Sequence, residues 1–366
     1  TANGVPLVLE TTSDTELMNN PRASVQQVYG RIMEDLDEAI TLLTGASARA
    51  DKAEISVEVA YGLRARANLL MGKWAAAASD AAKAYGTSTP YSVADVSQPT
   101  FYNATDNAWI WGIVVTTEDY LAKTGIVNWP SNLCSLTGMG YTTAASATDV
   151  AYRLINKNLW AKIPETDVRK GWWVDEDLHS PVLDNGLGED YAYYWANGMF
   201  NGGTFPSKFS PYTNVKFGPD NGTFADTDNA QDWPLMRVEE MKLIEAEALG
   251  RDNLATGKQK LEEFVRQYRD PSYTCTAGSL DAFIDEVWFQ RRVELWGEGF
   301  ALFDILRLKK PIIRQGANYP INSTFAEIAA EAPIMIYRIP EAETSVNSAI
   351  TEADNNPAAM APTPVN

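Results

Sequence analysis

Apolar residues recur at three- and four-residue intervals in several blocks of the chain, each bounded by residues that start or stop a helix. In residues 24–43, Val25, Val28, Ile32 and Leu36 mark one face, Ser24 and Gln27 have capping-box spacing, and Gly45 supplies a stop. The next blocks predict a helix over about 56–71, a turn at Gly72-Lys73, and an Ala-rich helix over 74–85. Small residues at Ala60, Gly62, Ala65 and Ala67 let these two helices approach closely. With Gly at the turn and small residues opening the second helix, residues 67–78 look like the junction of a tetratricopeptide hairpin. A second pair is predicted over 236–249 and 255–268, separated by Gly250-Arg251-Asp252-Asn253, and the last strong helices fall between Leu280 and Lys309.

Between these blocks the periodicity fades and the chain becomes rich in Gly, Asn, Asp, Thr, Tyr and Trp. Eight of the eleven tryptophans lie there: Trp109, Trp111, Trp129, Trp160, Trp172, Trp173, Trp195 and Trp233. A short strand is expected over 109–116, with Trp109 and Trp111 in the core, and a short helix over 151–160. The pattern therefore predicts one mostly α domain over 1–366. Its tetratricopeptide-like helical-hairpin scaffold comes from 24–85 and 236–309, and residues 86–235 form an inserted, irregular, loop-rich and aromatic-rich binding region. Aromatics in loops point to a binding surface, since a helical scaffold fills its core more simply with Leu or Ile. The polar tail after Pro340 is expected to be poorly ordered at its extreme end.

Composition narrows the function. A chain of 366 residues that is 45% hydrophobic buries a sizeable core. Its formal net charge of -18 repels phosphate backbones and anionic lipid, which excludes nucleic acid as a partner. The longest apolar stretch, 108–115, is far short of the ~20 residues a membrane-spanning helix requires. No export signal opens the chain. Cys134 and Cys275 are too few for a disulfide framework and fit either one bridge or two buried thiols. A single histidine removes triads, His-rich zinc sites and HExxH designs, and no GxSxG, phosphate loop or CxxC pattern appears. His179 itself lies in a polar segment and reads as a solvated loop residue. No cofactor is expected; the acidic stretch Asp220, Asn221, Asp226, Asp228 and Asp232 is the one candidate for calcium, but without EF-hand spacing it reads as a polar turn.

Residues 290–307, QRRVELWGEGFALFDILR, carry the most specific motif. Arg291, Glu294 and Glu298 share one helical face, Asp304 and Arg307 are similarly spaced beyond Gly299, and Gly299 permits a break between two helices. Two carboxylates so placed also suggest the acid and nucleophile of a glycosidase, which need a separation of ~5–5.5 Å. Adjacent turns hold their side chains parallel, however, and nearby arginines lower both pKa values, so structural ion pairs are the better reading. The acids Glu239, Glu240, Glu245 and Glu247 are read as a mostly solvated face.

This segment resembles the signature of the SusD/RagB family of Bacteroidetes nutrient-binding lipoproteins. Further matches follow in order: Gly4-Val5-Pro6-Leu7, Asp167-Val168-Arg169, residues 237–248 and Tyr337-Arg338-Ile339-Pro340. Gln290 stands where the family has Glu, Ala301 where it has Arg, and Arg338 where Pro is common, which puts the local ion pairs in doubt. Members also carry a lipid-anchored cysteine and about one more helical repeat before the Gly4 segment. The resemblance implies non-catalytic capture of oligosaccharide or polysaccharide by a surface lipoprotein of the outer membrane, tethered only through an anchor outside this chain. It also implies delivery of the glycan to a SusC-type TonB-dependent transporter.

Flat sugar faces pack on indole and phenol rings, and hydroxyls want Asn, Asp or Arg alongside. Two segments supply both, so the expected ligand contacts are Arg169, Trp172 and Trp173 in the first and Tyr191, Tyr193, Tyr194, Trp195 and Asn197 in the second; Trp129 stays open. The alternative functions are an all-helical glycoside hydrolase and a tetratricopeptide adaptor that binds protein.

Overall fold

The computed structural model describes residues 2–120, 122, 154–187, 210–218, 230–319 and 327–358. In chain order its main elements are β1 (Asn3–Pro6), β2 (Arg22–Ser24), α1 (Val25–Leu43), α2 (Val57–Leu70), α3 (Trp74–Tyr85), β3 (Trp109–Ile113), β4 (Trp233–Arg237), α4 (Val238–Asp252), α5 (Leu254–Tyr268), α6 (Leu280–Glu294), α7 (Ala301–Arg307), β5 (Ile312–Ile313) and β6 (Glu327–Ile328). The fold is mostly helical, as the periodicity predicts. Two compact units divide it: Thr1–Thr44 with Ala301–Asn366, and Gly45–Phe300. Helix α1 thus belongs to a different unit from the α2–α3 hairpin that the 24–85 block groups it with.

In the smaller unit Ser24 caps α1 reciprocally: its hydroxyl accepts from the Gln27 N–H, and the Gln27 side chain accepts from the Ser24 N–H at 2.8 Å. Strand β1, containing the Gly4-Val5-Pro6 segment, pairs antiparallel with β2. The C-terminal segment is tied to them by side chains. Asn347 accepts from the Asn20 N–H and donates to its carbonyl, and Arg22 donates to Asp354 O and Asn356 Oδ1. These bonds order the chain well past Pro340; the extreme end lies outside the described residues.

The larger unit is built from two helical hairpins. Between α2 and α3 the chain reverses at Gly72, whose φ of 70° suits a residue without Cβ. Helix α4 is the centre, packing on α2, α3, α5 and α6 and burying nearly its whole circumference. That corrects the expected solvated acidic face: Glu239, Glu240, Glu245 and Glu247 are all buried. Each is buried with a partner, as a carboxylate taken out of water requires. Glu240 holds Arg66 through two bonds of 2.7 and 2.6 Å, Glu245 accepts from Tyr85 Oη, and Glu247 pairs with Arg251.

Strand β3 pairs antiparallel with β4, setting Trp109 opposite Arg237, and β4 runs straight into α4. The helix expected over 151–160 is only Lys157–Trp160 among the described residues, because Leu154 bridges to Thr213 instead. One apolar cluster joins α2, α3 and α4; a second gathers Tyr91, Phe101, Trp109, Trp172, Trp173 and Phe217 from the segments between the hairpins.

Close helix packing depends on glycine at one crossing. A Cβ on Gly257 of α5 would lie 2.3 Å from Gly250 Cα and 2.8 Å from Ala246 O, both backbone atoms that cannot swing away. Gly257→Ala is therefore expected to cost about 1–3 kcal/mol of stability in denaturant titrations. Gly30→Ala, in α1 with nothing within 4 Å of the added methyl, is expected to leave stability unchanged or raise it by about 0.5–1 kcal/mol.

Candidate functional site

The carboxylates of the C-terminal motif do not face solvent. Glu294, at the end of α6, receives Arg269 in a bidentate pair, Nε to Oε2 at 2.7 Å and Nη2 to Oε1 at 2.9 Å, with Arg169 and Arg237 also in reach at 3.3 and 3.4 Å. Glu298 receives Arg237 through bonds of 2.9 and 2.8 Å and the Lys216 ammonium at 2.6 Å. Glu239 adds contacts to Arg237 and Arg269, and Asp167 grips Arg169. Four acids, Asp167, Glu239, Glu294 and Glu298, thus meet four bases, Arg169, Lys216, Arg237 and Arg269, and the formal charges cancel. The side chains are essentially sealed from water, none more than 2% exposed.

Burial alone would push the Glu294 carboxyl up, but Arg269, Arg237 and Arg169 outweigh it and hold the group well below its ordinary 4.5. Glu298 is likewise raised by burial and brought below its ordinary value by Arg237 and Lys216. Burial draws the Lys216 ammonium down to about 8 despite the neighbouring carboxylates. A glycosidase acid must hold a proton at working pH and reach substrate. Neither carboxylate does, so the pair is scaffold. Asp304 and Arg307 pair with each other at 2.7 Å. Gly297 and Gly299, with φ of 81° and 88°, turn the chain out of α6. Gln290 fits its place as a neutral residue: its carbonyl accepts from Arg169 Nη2 at 2.5 Å and its amide donates to Glu286 at 2.9 Å. A carboxylate there would face another carboxylate.

The nearby aromatics serve this network. Lys216 Nζ lies 4.8 Å from the Phe101 ring centre, 5.0 Å from Trp172 and 4.9 Å from Phe217, and Arg237 stacks on Phe101 at 4.7 Å. Trp172 donates its indole N–H to Val96 O, and Trp109 to Tyr91 Oη. Trp172 and Trp173 are 0% and 1% exposed. Rings so buried are not exposed platforms for sugar, so the role expected of them is corrected to core packing, Trp172 wholly inside and Trp173 at the inner wall of a cleft. Arg169, expected beside the ligand, is likewise consumed by the network. Leu or Ile at Phe101, Trp172 and Phe217 would bury the Lys216 ammonium without a π face to meet it. Trp129, Tyr191, Tyr193, Tyr194, Trp195 and Asn197 lie outside the described residues, as do Cys134 and Asp220, Asn221, Asp226 and Asp228. Asp232 accepts the N–H groups of Ala104 and Val115, each at 2.8 Å. No cluster of potential metal ligands occurs among the described residues. Cys275 is a buried free thiol.

The Asp167–Trp173 segment has a second side. Opposite the network it borders a cleft of about 460 Å³, within the range of small-ligand sites. Its lining includes Trp160, Glu165, Lys170, Asp175, His179 and Asn185. Within this stretch Val168–Trp172 wind as a 3-10 turn capped by Asp167, whose three-residue period sets Arg169 and Trp172 inward while Val168 and Lys170 line the cleft. Trp160, at the end of its short helix, is only partly buried. It stands edge to face with Tyr212, and Lys170 Nζ lies 4.5 Å from its ring centre. His179 is exposed, as its polar neighbours predict, and contacts Asp184 at 2.5 Å. Trp160, which lines this cleft, is not among the contacts expected from the sequence; a tryptophan flanked by Asn156, Lys157, Asn158 and Lys162 was the available signal.

Removing one acid from the network leaves buried cations uncompensated. Glu294→Gln is expected to lose about 3–5 kcal/mol of stability, read by chemical denaturation. An unchanged stability would refute the structural reading of the pair. Because Glu294 and Glu298 titrate below their ordinary 4.5 in the folded state, the stability they contribute is complete above that value and is lost as pH falls below it. The melting temperature should therefore fall between about pH 5 and about pH 3.

Comparison with known proteins gives this arrangement a context. The SusD family model matches residues 141–357. No curated protein matches the chain. Among solved structures, a SusD-like carbohydrate binding protein from Bacteroides vulgatus superposes with a TM-score of 0.69 at 22% identity, covering 96% of this chain and 71% of its own. A SusD superfamily protein from Bacteroides thetaiotaomicron gives 0.69 at 19% identity, with 98% and 72% covered. A further SusD superfamily protein from Bacteroides vulgatus gives 0.70 at 22%, with 98% and 71% covered. These likenesses establish a shared fold. Because the family model spans more than half of the sequence, including the whole buried network from Asp167 to Glu298, the chain belongs to the SusD family.

Proposed function

We propose that the protein captures oligosaccharide or polysaccharide at the outer-membrane surface, without catalysis, and passes it to a SusC-type TonB-dependent transporter. The observation that carries this reading is family membership through residues 141–357. It is supported by the structural likeness to a protein described as carbohydrate binding. The burial of Glu294 and Glu298 supports the non-catalytic part. No described helix is long and apolar enough to cross a membrane, which is compatible with tethering by a lipid anchor outside this sequence. The cleft bordered by Trp160 is the candidate contact surface in the described part of the chain: a partly buried amphipathic ring lines it together with carboxylates and an amide.

Binding of a glycan here calls for neither metal nor cofactor. Affinity electrophoresis over a panel of polysaccharides is expected to retard the protein in at least one gel, equally with and without EDTA, and with no release of reducing sugar. Absence of retardation by every polysaccharide would overturn the assignment. Copurification of a TonB-dependent transporter from detergent-solubilised outer membranes tests the delivery step.

A further inference from the structure

The charges in the cleft restrict what kind of glycan it can take. Among the described residues that line it, Lys170 is the only Lys or Arg. Its ammonium is already engaged, by the Glu165 carboxylate and by Ile163 O at 3.0 Å. His179, the remaining basic group, is matched by Asp184. Asp167 is bound inward to Arg169. On the other side Asp175 accepts the N–H groups of Asp177 and His179, both at 2.9 Å, and Glu165 projects with its side chain 85% exposed. With Glu165 paired to Lys170 and Asp167 to Arg169, the excess negative charge of the wall is that of Asp175, in a chain of formal net charge -18.

A uronate or sulfate entering this cleft would meet the Asp175 carboxylate and, among the described lining residues, no lysine or arginine that is not already paired. Hydroxyl groups fare differently. Ionised carboxylates are pure acceptors, and a sugar hydroxyl is a donor that they can bind without any change of charge. We infer that the cleft selects uncharged oligosaccharides and rejects uronate- and sulfate-bearing ones, with Trp160 as stacking surface and Glu165 and Asp175 as hydroxyl acceptors. This rests on the glycan-binding reading given above and adds its substrate class and its location.

Isothermal calorimetry on the intact chain tests it, with neutral polysaccharides (β-glucan, mannan, xylan, starch) against acidic ones (polygalacturonate, alginate, chondroitin sulfate), at low and high salt. The expected result is binding within the neutral panel that salt barely changes, and acidic binding weaker by about tenfold or more. Trp160→Ala and, at an exposed position, Asn185→Ala should each weaken neutral binding, the former by about tenfold, with melting curves confirming that both variants fold. Glu165→Gln, which releases Lys170 and removes one negative charge, should narrow the gap between the panels. Acidic glycans bound as tightly as neutral ones would overturn the charge selection, and neutral binding untouched by both cleft variants would overturn the location. Either result leaves the glycan-binding reading standing. If neither panel binds, that reading fails as well, and the inference with it.

Discussion

Four buried bases and four buried acids have to be brought together for this chain to fold, and much of its larger unit can be understood as the means of doing so. Ions removed from water need closely placed opposite charges and hydrogen bonds for every polar atom. Glu294 satisfies that demand with three arginines drawn from far-separated segments: the 3-10 turn at Arg169, the end of β4 at Arg237 and the end of α5 at Arg269. Each comes from an element whose own position is set by other packing. The network is a clasp across the sequence, and removing one charge from it strands the rest.

Much of the aromatic content follows from that clasp. Phe101, Trp172 and Phe217 present π faces to Lys216, and Tyr91 and Trp109 link β3 to the same region by hydrogen bonds. Phe101 holds a left-handed φ of 64°, an unfavourable conformation for a bulky residue that the surrounding packing maintains. Fixing Asp167, Arg169 and Trp172 on the inner side fixes the outer side of the same turn. Lys170 and Val168 therefore line the cleft from a turn whose inner side is held by the Asp167–Arg169 pair and the Trp172 hydrogen bond.

The first hairpin, the Ser24 cap and the turn at Gly72 were legible in the sequence because they depend on residues within one or two helical turns, whereas α4 begins after β4 and runs through the turn expected at 250–252. The signature of residues 290–307 could be recognised for its spacing, and pairing could be expected from its charges. Which partners those charges take was not legible, since Arg169, Lys216 and Arg237 lie 125, 78 and 57 residues away from Glu294 in the chain. The acids of α4 misled for the same reason. On a lone helix Glu239 to Glu247 look solvated, and only tertiary packing supplies the Arg66, Tyr85 and Arg269 that let them be buried.

By itself, then, the sequence determined a mostly helical chain with hairpin elements, no imidazole-based catalysis and a SusD-type motif, all of which are local or compositional properties. Tertiary structure alone decided that Trp172 and Trp173 are core, that Arg169 belongs to a charge network, and that Trp160 stands at a cleft. An aromatic side chain suits a cation's flank and a sugar's face equally well; which one it meets depends on what the fold places against it.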